Sequence, residues 1–458
     1  MNLEQTIQNC CSVYSNDPKR MIDILWAVQD EFGFIGPETM QLVAQFTQTF
    51  RVEIEGIVSF YSFFHQSPQG KFIIYLCDDI IDQHAGMAEI EKSIHELLGI
   101  NIGETTPDGL FSIHHTPCIG MSDQAPAALI NGTVVTKLSP TKIKRIIQVL
   151  KKHKNTDKLF ASKSESQEAF IHKMVKSNIR KTGPLLSNTY FPGSGLKKAL
   201  SLLPEAILAT LEASKLRGRG GAGFDIATKW RIAKNTQAQE RYIICNADEG
   251  EPGTFKDRVL LTEKAHLLFE GMTIAAYTIG CSKGIVYLRA EYRYLLPYLE
   301  LLLEERRHNG LLGQAISFNP ETKDIFHFDI RIQLGAGAYV CGEESALISS
   351  CEGKRGEPRN KPPFPAEVGY LDCPTVVNNV ESLCYIPLIF ENGLSWFQAI
   401  GTSESKGTKL LSVSGDCNKP GVYEFPFGVS VNDVLSASGA NNAAAVQVGG
   451  ASGELIGR

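Results

Sequence analysis

RYIICNADEG (residues 241–250) passes from an apolar run, Tyr242–Cys245, directly into a polar and acidic loop. It reads as a strand whose carboxyl end opens onto Asn246, Asp248 and Glu249. KGIVYLRAEYR (283–293) and FDIRIQLGAGAYVCGEESAL (328–347) repeat the strand-to-loop pattern, with helical stretches between them. Strands alternating with helices predict an α/β fold with a parallel, doubly wound sheet. Ligands of such sheets lie at the carboxyl ends of the strands. The candidate site is therefore the loop 245–258, CNADEGEPGTFKDR, together with the acidic pair Glu343–Glu344.

Outward from this core, 458 residues suggest about three domains. Residues 18–33, PKRMIDILWAVQDEFG, place Met21, Ile24, Leu25, Val28 and Phe32 at helical spacing ahead of Gly33. GPETMQLVAQF (36–46) puts Pro37 at a helix start. KFIIYLC (71–77) is then a strand, and AALINGTVV (127–135) a hairpin turning on Asn131–Gly132. Residues 1–150 thus form one compact module. Residues 151–175 are polar and suit a linker or an interface arm. The α/β core spans 176–400, and 401–458 is a third unit of short strands and Gly/Pro turns.

Composition limits the function classes. Hydrophobic content of 43% and charged content of 21% describe a globular chain. The net charge of −5 and the lack of a dense basic block argue against nucleic acid. No run of 18 apolar residues predicts a transmembrane helix, and the first residues lack a signal-peptide core. Eleven scattered cysteines, none in a CxxC pair, fit reduced thiols and a cytoplasmic location.

LRGRGGAGF (216–224) crowds Gly218, Gly220, Gly221 and Gly223 into six residues. Three of them match GxGxxG, but the preceding PEAILATLEAS (204–214) is helical, so the dinucleotide-binding fingerprint is in the wrong context. What remains is a backbone that can approach a phosphate or a flat ring closely. Arg219 and Lys229 add charge, and a helix starting near Asp225 favours an anion. Carboxylates beside such a loop suit a flavin mononucleotide stacked against a nicotinamide. One carboxylate about 5 Å from the ring disfavours the reduced anion by about 3 kcal/mol, or roughly 70 mV.

GRGGAGFDIATKW (218–230), NADEGEPGTFKDR (246–258), GAYVCGEESAL (337–347), PRNKPPFPAEVG (358–369) and PTVVNNVESL (374–383) occur in that order. Together they resemble the NADH-oxidising flavoprotein subunit of respiratory complex I. Residues 1–135 resemble its thioredoxin-like [2Fe–2S] neighbour, and the fusion resembles the diaphorase flavoprotein subunit of soluble NAD-reducing hydrogenases. The resemblance implies an oxidoreductase with a thioredoxin-like module behind an N-terminal helical segment, a Rossmann-like FMN/NAD domain and a C-terminal β-grasp, marked by KPGVYEFPFG (419–428). It implies that FMN is held by Gly218, Arg219, Gly220, Gly221, Gly223, Lys229, Asn246, Asp248, Glu249, Gly342, Glu343, Asn378 and Asn379. NAD(H) would be held by Phe224, Glu251, Glu344, Lys361 and Phe364, and hydride would pass between the two cofactors with no side chain acting as acid or base. Ile232 stands where the family usually has an aromatic.

The resemblance also implies partners: an iron–sulfur diaphorase subunit and hydrogenase subunits, with a formate dehydrogenase or a complex I-like assembly as the alternative. A non-catalytic, NAD-sensing scaffold is the reading from a different class. In the family a [2Fe–2S] cluster uses a Cys-x4-Cys and a Cys-x3-Cys pair. Here Cys77 and Cys118 remain, while Asp82 and Ser122 stand at the other two positions, so loss of the cluster is expected. Family members continue past the β-grasp into a bundle that binds a [4Fe–4S] cluster. This sequence stops at Arg458 before it, so a truncated β-grasp with an open sheet edge is expected.

Overall fold

The structure, a computed structural model, describes residues 2–160, 166–187, 190–318 and 325–457. Helices Leu3–Val13, Met21–Phe32, Pro37–Thr47 and Arg51–Phe60 come first. The 3.6-residue spacing works as expected: Met21, Ile24, Leu25 and Val28 are all buried. Strands β1 (Phe72–Cys77), β2 (Phe111–Thr116), β3 (Ala128–Ile130) and β4 (Thr133–Val135) then form a sheet in the order β2-β1-β3-β4. β1 and β2 run parallel, and the remaining pairs are antiparallel. Helices Met87–Leu98 and Pro140–His153 pack on each other beside it.

The stretch 151–175 is partly helical. The helix that begins at Pro140 runs on to His153, and helix Gln167–Met174 buries Ile171 and Met174. Of this stretch, 161–165 lie outside the described residues. After it, β5 (Ile179–Lys181) leads into the core.

The central sheet contains β6 (Tyr242–Ala247), β7 (Lys283–Leu288), β8 (Gly313–Phe318), β9 (Ile325–Leu334) and β10 (Thr375–Asn379). Its order is β10-β6-β7-β9-β8. The pairs β10–β6, β6–β7 and β7–β9 are parallel, whereas β8 is an antiparallel edge. From β6 the chain builds outward through β7 to β9, and then returns to place β10 on the other side of β6. The direction of winding reverses there, which leaves a crevice beyond the carboxyl ends of β6 and β10. Helices Ala265–Ile279 and Val380–Asn392 pack against each other and against β6.

The third unit is less separate than its sequence suggests. β11 (Thr408–Val413) pairs with β12 (Gly421–Pro426), and the upstream β5 joins β12 in parallel. A boundary at 401 therefore cuts through a sheet. β13 (Ala445–Val448) and β14 (Glu454–Gly457) form their own hairpin.

The N-terminal module is docked onto the core by specific bonds. Trp26 Nε1 donates to the Gly335 carbonyl at 3.0 Å, and the Phe63 amide to the Ala336 carbonyl at 3.0 Å. Tyr61 donates to Ser350 Oγ at 2.8 Å. The first two back the segment 334–342 that carries β9 into the Glu343–Glu344 pair, and the third backs the helix Glu344–Cys351 that follows. Among the described residues no helix is long and apolar enough to cross a membrane.

The two core helices meet backbone to backbone: a β-carbon on Gly271 would overlap the Leu383 carbonyl. Gly271→Ala should therefore destabilise the chain by about 1–3 kcal/mol, read as a lower urea midpoint with an unchanged slope.

Candidate functional site

The glycine loop lies between helices Pro204–Ser214 and Ile226–Asn235, and Asp225 caps the second by accepting from the Thr228 amide at 2.7 Å. The Gly218 amide closes the loop onto the Phe224 carbonyl at 2.9 Å. Gly221 (φ 124°) and Gly223 (φ 65°) take backbone conformations that other residues avoid. A β-carbon on either would meet nothing within 4 Å, so open space lies in front of them. Among the described residues the amides of Gly220, Gly221, Ala222 and Gly223 donate to no protein acceptor. A row of free amides facing open space fits the acceptor oxygens of a phosphate or a ribityl chain.

This loop packs on the crevice. The Gly220 β-position is 3.1 Å from Asn379 Cβ, and Asn379 ends β10. Trp230, fully buried, donates to Asn378 Oδ1 at 2.8 Å and fixes the neighbouring amide. At the end of β6, Asn246 Nδ2 donates to the Gly342 carbonyl at 2.8 Å, and its Oδ1 receives the Asp248 amide at 3.0 Å. Lys229 contacts Glu344 at 3.0 Å and the Val377 carbonyl at 3.2 Å. Lys361 bridges Glu343 at 2.6 Å and Glu344 at 3.5 Å. Glu343 also caps the helix that starts at Glu344. Thus the glycine loop, the acidic loop, the Glu343–Glu344 pair and the two asparagines come together at one place.

Phe224 (51% exposed) and Phe364 (52% exposed) keep apolar rings in solvent. A cleft of about 420 Å³ opens beside the loop, lined by Lys215, Arg217, Ala222, Gly223, Phe224, Asp225 and Glu404. Exposed rings next to cationic side chains suit a dinucleotide carrying bases and phosphates.

Two residues are placed differently from expectation. Arg219 is only 3% exposed: its guanidinium donates to the Arg217 carbonyl at 3.2 Å and the Lys406 carbonyl at 2.7 Å, stacked over Phe427. Its charge ties the loop to the third unit and is not open to a ligand. The Glu249 carboxylate accepts from the Asp257 and Arg258 amides (2.8 and 3.1 Å) and from the Tyr292 hydroxyl (2.8 Å). Glu249 therefore shapes the acidic loop instead of presenting its side chain. Tyr339, which the sequence did not single out, is 62% exposed and donates to Glu251 across the crevice rim. A tyrosine inside an apolar run gives no sequence sign that it will face solvent.

Electrostatically the site separates two carboxylates. Burial raises Asp248 to about 7, with Glu291 adding to the rise and Arg289 opposing it. Among the described residues its carboxylate takes no hydrogen bond from the protein. Behind it, Lys256 contacts Asp257 at 2.6 Å and Glu381 at 3.0 Å, Lys409 contacts Glu381 at 2.5 Å, and Asn379 donates to Asp257 at 2.6 Å. Burial alone would raise Glu381, but the two ammonium groups hold it at about 2.

Residues 211–388 match the family model described as the Nuo51 FMN-binding domain, and residues 7–151 that of the thioredoxin-like [2Fe-2S] ferredoxin. The chain is 49% identical over 461 aligned residues to NAD-reducing hydrogenase HoxS subunit alpha of Cupriavidus necator, covering 99% of this chain and 75% of that one. NADP-reducing hydrogenase subunit HndC of Solidesulfovibrio fructosivorans is 46% identical over 267 residues, 57% of this chain and 53% of its own. An NADH-quinone oxidoreductase subunit of Escherichia coli is 44% identical over 243 residues, 53% of this chain and 54% of its own. A crystal structure of an NAD+-reducing [NiFe]-hydrogenase in the H2-reduced state superposes with a TM-score of 0.85 at 41% identity, over 96% of this chain and 73% of that one.

The raised Asp248 makes a signed prediction. Its proton is held more tightly in the folded chain, so stability is lost as pH rises from about 4 to about 7. Asp248→Asn should raise the melting temperature of the flavin-free chain at pH 8 and leave it unchanged at pH 4. Glu381 behaves oppositely: its contribution is present above the ordinary value of 4.5 and is lost only as pH falls toward about 2. Glu381→Ala strands two ammonium groups and the Leu410 amide, and should cost about 3–5 kcal/mol in urea unfolding at pH 7.

Proposed function

The chain belongs to the family of the NAD-reducing hydrogenase alpha subunit and the complex I 51 kDa flavoprotein, and from this we propose how its crevice works. It is the diaphorase flavoprotein that exchanges hydride between NAD(H) and FMN. The single observation that carries the site reading is the row of free amides, Gly220–Gly223, set against the carboxyl ends of β6 and β10. FMN fits these residues: the amides would meet its acceptor oxygens, and Asn246, Asn378 and Asn379 border the crevice with side chains already oriented by the protein. When bound, FMN supplies the two-electron chemistry, accepting hydride from NADH and releasing electrons onward.

The side chains of the chain itself position and tune. Phe224 and Phe364 receive the flat rings of the dinucleotide. Glu344, held by Lys229 and Lys361, and Glu251, held by Tyr339, accept from its hydroxyl and amide groups. Asp248 and Glu343 set the local field. No side chain has to move a proton in the transfer, so the rate depends on distance and alignment. The parent assembly is a cytoplasmic NAD-reducing hydrogenase, in which an iron–sulfur diaphorase subunit and the hydrogenase subunits are the partners.

Anaerobic NADH should bleach the flavin absorbance of the purified chain, and an unchanged spectrum would overturn the reading. Phe224→Ala should raise KM for NADH by roughly 3–10-fold with flavin still bound, the loss of about 0.5–1.5 kcal/mol of ring stacking.

A further inference from the structure

The former cluster position in the N-terminal module has been rebuilt as something smaller. Cys77 ends β1, and Cys118 and Ser122 lie on the loop after β2. Asp79, which stands at none of the four cluster positions, brings its carboxylate into the same space. Its Oδ2 is 3.8 Å from Cys77 Sγ and 3.4 Å from Ser122 Oγ, and Ser122 Oγ is 3.4 Å from Cys118 Sγ. Ligating atoms of Cys77, Asp79 and Cys118 all lie within 4.8 Å of one another. One tetrahedral ion with bonds of about 2.3 Å to sulfur and 2.0 Å to oxygen needs ligand separations of roughly 3.3–3.8 Å. The three edges that involve Asp79–Cys77, Asp79–Ser122 and Ser122–Cys118 fall within that range. A [2Fe–2S] core does not fit: only two thiols are available, and Asp82 Oδ1 is held by the Ala127 amide at 2.6 Å.

Charge gives the second, independent reason. Asp79 is 6% exposed and Asp82 0%, and Asp82 lies against both Cys77 and Asp79. Asp82 Oδ2 is buried with no hydrogen-bond partner. Among the described residues no lysine or arginine side chain pairs with either carboxylate. Two adjacent buried acids with no cation are costly, and a divalent ion removes that cost. The shell is oriented in advance. Asp79 Oδ1 accepts from the Ile81 and Asp82 amides, which leaves Oδ2 turned to the thiols. The Gly253 amide reaches Cys118 Sγ at 3.5 Å, and Arg289 holds the Cys118 carbonyl at 2.7 Å.

We propose that Cys77, Cys118, Asp79 and Ser122 bind one structural zinc ion, which fastens the N-terminal module to the acidic loop of the flavin domain. On binding, the two thiols release their protons to solvent and ligate as thiolates, with no change of oxidation state. Gly253 and Arg289 both belong to the core and hydrogen-bond to Cys118, so the ion fixes the residue on which the core's contacts to the module converge. The site stands on its own geometry and does not depend on the flavin reading.

The test is elemental analysis of the full chain purified from zinc-replete medium without chelator, with acid-labile sulfide measured in parallel. Equimolar zinc with neither iron nor sulfide is expected; two irons with sulfide, or no metal at all, overturns the proposal. Asp79→Asn keeps an oxygen for the two capping amides but removes the anionic ligand, so zinc occupancy should fall by roughly tenfold or more. Zinc retained at the original level in that variant would also overturn it. Replacing the ion with Co2+ should give a thiolate-to-cobalt charge-transfer band that Cys118→Ser weakens; a cobalt spectrum without that band rejects the two cysteines as ligands.

Discussion

Lys256, Asp257 and Glu381, buried, and Lys409, half-buried, form a charge-balanced group directly behind the crevice, and the site is arranged around it. Glu381 and Asn379 sit at the start of the helix that follows β10, while Lys256 and Asp257 open the helix that follows the acidic loop. The group therefore locks the two loops that emerge on either side of the winding reversal. Each member is stable inside only because the others are present: burial penalises every charge, and the opposite charges reverse that penalty. Held in this way, the ends of β6 and β10 are rigid enough to present asparagine side chains in fixed orientations.

A second set of bonds serves the same end from outside. Glu249 joins the amides of Asp257 and Arg258 to Tyr292, and Arg289 joins the Glu249 carbonyl to the Cys118 carbonyl in the N-terminal module. The thioredoxin-like module thus buttresses the acidic loop. A module that keeps only Cys77 and Cys118 of the four cluster cysteines still supports the flavin domain, through the Cys118 carbonyl and the Trp26 indole. The Trp26 and Phe63 bonds to 335–336 do the same for the Tyr339–Glu344 segment.

Much of this was legible in the sequence where the signal is local. The helix ending at Gly33, the Asn131–Gly132 hairpin, the strands beginning at 242 and 283 and the one running through 328, and the rejection of the dinucleotide fingerprint all follow from short-range pattern. Contacts join the glycine loop, Asn246, the Glu343–Glu344 pair, Asn378 and Asn379 around one crevice. The exceptions were Arg219 and Glu249, whose side chains turn away to bind carbonyls and amides. Both carry the residue types expected at an anion or flavin site, and a charged side chain does not announce in sequence whether it will face a ligand or a helix end.

The sequence by itself determined the alternation of strands and helices in the core, the four-glycine loop at 218–223, and the substitution of two cluster ligands by Asp82 and Ser122. Only the tertiary structure decided that β5 joins the sheet of the third unit, that residues 167–174 form a helix burying Ile171 and Met174, and that Asp79 turns a carboxylate oxygen toward Cys77 and Ser122. The physical reason is range. Periodicity, turns and caps are set within a few neighbouring residues, whereas strand pairing across some 240 positions and the meeting of side chains from separate loops depend on how the whole chain packs.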